Sequence, residues 1–210
     1  VWTHDGLYNS HKLGKGKRHL HIINLDTRFF RDTLQRAYTL DSITQERRYR
    51  YVVAAGDILG EGQWQWLDRQ LNESTASIIF INSSIQIIAE EHRYEKWANF
   101  PEARARLFQL LAKHPNKRVI LLSGDRHIAE ISQMSVSGLP YPLYDFTSSG
   151  LTHTWSVAEP EANRYRIGDL IVQKNFGLIQ VEWTGEKCEV TFEVRGKDGS
   201  VFATHRVKMN

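Results

Sequence analysis

Residues 118–127 read Arg118-Val119-Ile120-Leu121-Leu122-Ser123-Gly124-Asp125-Arg126-His127. A short run of branched apolar side chains ends abruptly in polar ones, which predicts a buried strand with a functional tip. The strand delivers a carboxylate, Asp125, and an imidazole, His127, to one edge of a sheet. Both side chains are good ligands for hard or borderline metal ions. In open α/β sheets such groups sit where ligands bind, beyond the carboxyl ends of the strands. Two ligands fall short of a catalytic metal set, so the rest must come from elsewhere.

Other strand ends carry similar chemistry. His19 to Leu25 reads as a strand that turns polar at Asp26-Thr27-Arg28, and Ala76 to Asn82 as one that ends in Ser83-Ser84-Ile85-Gln86. Tyr141 to Phe146 is strand-like and leads into Thr147-Ser148-Ser149-Gly150-Leu151-Thr152-His153. Polar groups that converge from several strand ends make a site, whereas a single such end is unremarkable. Between the strands, Gln63 to Glu73 places Trp64, Leu67 and Leu71 on one helical face. Pro101 suits the first turn of a second helix, which runs to Lys113 and stops at His114-Pro115-Asn116. Beyond Gly150 the alternation of Leu178 to Trp183, Glu189 to Arg195 and Val201 to Lys208 predicts an antiparallel meander, with Lys197-Asp198-Gly199-Ser200 as a hairpin turn. Residues 31–60 show no sustained period and read as a long surface excursion.

The chain has 210 residues, enough for one domain with a substantial core. Its 41% hydrophobic and 24% charged residues exclude a disordered chain. The net charge is +3, with basic residues concentrated in His11-Lys12-Leu13-Gly14-Lys15-Gly16-Lys17-Arg18-His19. The preferred reading of that run is a solvated loop before a strand; attraction to phosphate is the sharper one. Nucleic acid is not an expected partner, because no aromatic-and-basic module accompanies the run. A single cysteine, Cys188, excludes an intramolecular disulfide framework. No apolar run reaches membrane-spanning length. The first residue is Val, which suggests a processed or excised piece of a longer protein.

Taken in order, six blocks resemble the alkaline phosphatase D family. They are Leu25-Asp26-Thr27-Arg28-Phe29-Phe30-Arg31-Asp32, then Leu59-Gly60-Glu61-Gly62-Gln63-Trp64-Gln65-Trp66-Leu67, then Ser83-Ser84-Ile85-Gln86. Trp97-Ala98-Asn99-Phe100-Pro101 with Arg104, Ser123-Gly124-Asp125-Arg126-His127 and Thr147 to His153 complete the series. These are metal-dependent phosphatases and phosphodiesterases of the calcineurin-like superfamily, and the resemblance runs from about Gly6 to about Asn210. It implies an α/β fold: a mixed-sheet αββα sandwich of the calcineurin-like metallophosphatase type, incomplete at the N-terminus, with residues 1–210 forming the C-terminal part of a single domain. It also implies a dinuclear centre, with iron and calcium the expected ions and manganese, zinc or magnesium as alternatives. The implied location is periplasmic or extracellular. The family's early ligands, on an N-terminal Asp, a Gly-Asp motif and an Asn- or His-bearing loop, have no counterpart in this chain. Gly56-Asp57 mimics the second motif in the wrong place, and Trp2-Thr3-His4-Asp5 is a poor mimic of another segment, so no role is transferred to either.

The resemblance makes Asp125 and His127 metal ligands. An imidazole ligand must be neutral, so binding weakens in acid. Arg28 is a candidate to grip a phosphate oxygen, against the preferred reading of an internal Asp26–Arg28 network that fastens the 31–60 excursion. His153 is either a general acid or a supporting hydrogen-bond group in its Ser- and Thr-rich loop, and both readings stay open. Glu130 could orient the His127 ring or stand three residues away by chance. Trp64, Trp66 and Trp97 are assigned to packing, and Asn99 to capping the helix at Pro101. The expected activity is hydrolysis of phosphate mono- or diesters by metal-activated hydroxide, on a small ester or a surface phosphodiester polymer. The alternative is a non-catalytic fragment that binds metal or phosphate without turnover. A truncated sandwich also predicts exposed apolar surface and strands such as Val119 to Leu122 lacking neighbours.

Overall fold

The computed structural model describes residues 5–16, 18–40, 45–155, 161–185 and 187–209. The first half contains β1 (Asn9–Lys15), β2 (Arg18–Asn24), β3 (Arg36–Leu40), β4 (Arg47–Tyr51), α1 (Gly60–Glu73) and β5 (Ile78–Asn82). It is followed by α2 (Pro101–Ala112), β6 (Val119–Ser123), β7 (Ala129–Met134), β8 (Leu143–Ser148) and β9 (Arg166–Ile171). The chain closes with β10 (Asn175–Thr184), β11 (Lys187–Gly196) and β12 (Val201–Met209).

Seven strands form one mixed sheet in the order β1-β2-β5-β6-β8-β7-β9. The four strands β2, β5, β6 and β8 run parallel to one another, and β1, β7 and β9 pair antiparallel. Parallel neighbours need a crossover, and α1 and α2 supply two of them. Both helices cover one face of the sheet, where Trp64, Leu67 and Leu71 of α1 and Leu107 and Leu111 of α2 meet Ile79, Ile81 and Leu121. On the opposite face Ile78, Phe80 and Ile120 pack on Val190, Phe192 and Val194 of the separate sheet β10-β11-β12. Successive residues of β5 and β6 thus alternate between two cores, which is why these strands read as unbroken apolar runs. Among the described residues the layers are helices, mixed sheet and antiparallel sheet, three of the four that an αββα sandwich contains.

Several expectations change. The basic run 11–19 is no loop: His11 to Lys15 lie in β1 and pair with β2 through a tight turn, and Lys17 lies outside the described residues. Glycines in the run mask the strand, and Gly14 at φ +94 would bring any Cβ to 2.3 Å from the Arg18 carbonyl oxygen. The 31–60 excursion contains the β3–β4 hairpin, whose Arg- and Tyr-rich strands lack an apolar face. Strand β6 is flanked by β5 and β8 and is not short of neighbours. Exposed large apolar side chains do occur among the described residues, with Leu13, Leu40 and Val53 as well as Phe29, Leu151 and Trp155 near the strand ends. Asn99 does not cap α2: it accepts from the Lys96 backbone N–H, and Phe100 occupies the cap position without a side-chain bond. Trp64 and Trp97 are buried in edge-to-face contact, with ring centroids 6.2 Å apart, as packing requires.

Candidate active site

The four parallel strands point the same way, so the segments that follow β2, β5, β6 and β8 meet along one edge of the sheet. Hydrogen bonds tie them together. Thr27 Oγ1 lies 2.5 Å from Ser84 Oγ, and Ser123 Oγ lies 2.8 Å from Thr147 Oγ1. Gln86 Nε2 donates to Thr147 Oγ1 at 2.8 Å and to Glu130 at 2.6 Å. Beneath them Asp145 accepts from Ser123 Oγ and from the backbone N–H groups of Ile87 and Ile88. Burial pushes the Asp145 carboxyl up, against the three hydrogen bonds that oppose it. This buried polar layer fixes the loops above it.

Asp125 and His127 stand on the segment after β6 with φ of 62° and 55°. Non-glycine residues rarely adopt left-handed backbone, and such strain concentrates at functional sites. Ser149, from the segment after β8, holds the turn: its Oγ accepts from the Arg126 N–H at 3.0 Å and the His127 N–H at 2.9 Å. His127 Nδ1 is buried and has no hydrogen-bond partner. His153 meets the His127 ring edge-on, with centroids 5.1 Å apart, and Trp155 stacks on the same ring at 5.8 Å.

Arg28 comes from the segment after β2. Its Nη1 donates to Glu95 at 2.6 Å and its Nη2 to Asp125 at 2.7 Å. The expected Asp26–Arg28 side-chain network does not form. Asp26 instead accepts from the backbone N–H groups of Leu7, Arg28 and Phe29. Burial raises the Asp26 pKa, but the Phe29, Arg28 and Leu7 bonds outweigh it and the pKa falls below the ordinary carboxylate value. Asp26 therefore shapes the turn that aims Arg28. Glu130 does not orient His127, because it lies in β7 and is bonded to Gln86 and Arg166. Asp57 takes the Trp64 indole N–H and the Gly60 N–H, a helix-start role away from the site. Of Trp2-Thr3-His4-Asp5, residues 2–4 lie outside the described residues.

The structure thus gathers Arg28, Asp125, His127 and His153 from three strand ends. The sequence offered no pattern for Glu95, which also pairs with Arg31, and it placed Ser149 in the polar Thr147 to His153 block without a role of its own. A family model for PhoD-like phosphatases matches residues 3–183. The chain belongs to the PhoD-like phosphatase family. Its fold is similar to a solved structure of PhoD, with a TM-score of 0.62 at 17% identity. The match covers 95% of this chain and 40% of that one, so the chain spans well under half the length of its structural relative. No curated protein matches by sequence.

A metal ion is the group that family membership implies. The donor types at the tip suit it: one carboxylate, two imidazoles, and a buried His127 Nδ1 whose lone pair or N–H is unsatisfied. The number of donors does not complete a site. Among the described residues no three of His, Cys, Asp and Glu are placed to hold a metal ion together. No helix among the described residues is long and apolar enough to cross a membrane.

Proposed function

We propose that the protein hydrolyses phosphoric mono- or diesters, with residues 1–210 forming one wall of a metallophosphatase domain. The observation that carries this is the convergence of Asp125 and His127, on left-handed backbone, with the guanidinium of Arg28. Ligand-type and phosphate-type groups then face one spot. Asp125 and His127 would hold metal, with further ligands needed to complete the set. When bound, the metal ions supply Lewis acidity toward phosphoryl oxygens and acidify water at the site. Iron and calcium are the ions we propose, and the donor set also admits manganese, zinc or magnesium.

Arg28 is proposed to bind substrate. Its charge is permanent, its planar fork matches two phosphoryl oxygens, and Glu95 holds it in place. His153 is exposed beside His127 and is proposed to give a proton to the leaving oxygen. Small phosphate esters and surface phosphodiester polymers both fit a site this open, and a periplasmic or extracellular location accords with such substrates. A second reading follows from the incomplete donor set: the chain by itself binds metal or phosphate without turnover. Hydrolysis of p-nitrophenyl phosphate and bis-p-nitrophenyl phosphate, measured with added iron, calcium, manganese or zinc, separates the two. Metal-dependent turnover supports the hydrolase, and none with any metal supports the binding fragment.

A further inference from the structure

Trp155 touches both imidazoles of the candidate site. It lies against the His127 ring with centroids 5.8 Å apart and planes 24° apart, and it meets His153 edge-on at 5.9 Å. It also lies against Tyr94, at 6.3 Å and 23°. Both stacks are offset, because rings stacked squarely in contact would stand about 3.5–4 Å apart. Offset neighbours cover only part of an indole, and 44% of the Trp155 surface stays open to solvent. A single exposed aromatic side chain is ordinary on a protein surface. Trp155 differs in what it touches: a proposed metal ligand and a proposed proton donor.

Those contacts say which part of a substrate the indole meets. If His153 gives a proton to the leaving oxygen, the group that this oxygen carries departs beside His153, and Trp155 is in ring contact with His153. Room for such a group exists. Trp155 lines a cleft of about 560 Å³ together with Tyr49, Tyr94 and Ile128, a volume within the range of small-molecule sites. The cleft wall carries arginines and glutamates alike, so it selects no single charge, and its aromatic rings are what distinguish it.

We propose that Trp155 is a specificity-determining residue, whose open indole stacks on a planar aromatic or heteroaromatic ring carried by the leaving oxygen. The favoured substrates are then phosphate esters of aryl alcohols or of nucleosides. This placement rests on the phosphoesterase reading, through His153. Stacking of a ring on an aromatic side chain is worth about tenfold in affinity, and it tolerates different rings because each has a π-face.

The test is calorimetric titration of the chain, with added manganese, using methylphosphonate, 4-nitrobenzylphosphonate and the phosphonate analogue of adenosine monophosphate. None of the three offers an ester to cleave. A ring-bearing phosphonate should bind about tenfold tighter than methylphosphonate. Trp155→Leu, a change at an exposed position, should cut that ratio to about twofold or less while methylphosphonate binds as it does to the parent. Trp155→Phe should keep most of the preference. Tighter binding of the nitrobenzyl ligand identifies aryl esters, tighter binding of the adenosine ligand identifies nucleotides, and equal tightening identifies a platform that accepts both. Ring ligands that do not bind, or bind no tighter than methylphosphonate, overturn the proposal. So does a ratio unchanged in Trp155→Leu, which includes an equal loss for all three ligands and marks a merely structural role. Failure of the phosphoesterase reading shows separately, as absent turnover of bis-p-nitrophenyl phosphate with the ring preference intact.

Discussion

Arg28 Nη2 stands 2.7 Å from Asp125 Oδ2, although 97 residues separate the two in sequence. The contact joins the segment after β2 to the segment after β6, across the intervening β5. The two side chains are about half exposed, so the ion pair itself adds little stability. Its consequence is positional: a fixed cation is held next to a ligand-type carboxylate.

Arg28→Ala is therefore expected to impair phosphate-ester hydrolysis far more than folding. Loss of one charge-assisted hydrogen bond to a phosphoryl oxygen corresponds to about 1.5–3 kcal/mol, or roughly a 10- to 100-fold fall in kcat/KM. Arg28→Lys should recover only part of it, because an ammonium lacks the planar fork. Steady-state kinetics with a parallel urea melt checks both halves.

Ser149→Ala tests how the left-handed turn is held. Removing Oγ leaves the N–H groups of Arg126 and His127 without their acceptor. A loss of about 1–3 kcal/mol in urea unfolding is expected. Metal affinity should fall as well, since Asp125 and His127 are no longer pinned at φ of 62° and 55°.

The centre of the fold gives a control far from the chemistry. Leu121 is fully buried between β5 and β8, facing the helices. Leu121→Ala should cost about 2–5 kcal/mol by cavity formation, read as a lower urea midpoint with an unchanged slope.

Much of this was legible in the sequence. Period-2 and unbroken apolar runs located β5, β6 and the three-stranded meander. The spacing of Trp64, Leu67 and Leu71 located α1. The polar tips at Arg28, Asp125 and His153 do share one edge, because the strands that carry them are parallel neighbours. What was hidden depends on tertiary placement. Glu95 and Ser149 act through contacts with residues 67 and 22–23 positions away, which no local pattern encodes. Strand β1 was obscured by its Lys, His and Gly content, since an edge strand exposed on most of its length needs no apolar face. Strand β7 was missed because its apolar–polar alternation runs only from Ala129 to Ser132 before Gln133 breaks it, and its buried Glu130 and Ser132 leave too few apolar residues to stand out.

Acid should weaken the fold through His92. Its pKa of about 2 in the folded chain lies below the ordinary value of 6.5, so between these limits the unfolded chain binds more protons. The stability at stake is fully present above about pH 6.5 and is lost as pH falls toward 2. From pH 6.5 to 5 the loss from this group is about 2 kcal/mol. His21 and His205, also shifted down chiefly by burial, act in the same direction. Urea melts from pH 7.5 to 5 should show a shallower pH dependence in His92→Phe than in the parent.

The central claim is that Asp125 and His127 are metal ligands of a phosphoesterase site. Its most direct test is metal-dependent hydrolysis of bis-p-nitrophenyl phosphate by the protein, by Asp125→Ala and by His127→Ala, with bound metal measured alongside. The account predicts that each substitution abolishes turnover and lowers bound metal while the chain stays folded. Turnover and metal content unchanged in both variants would contradict it.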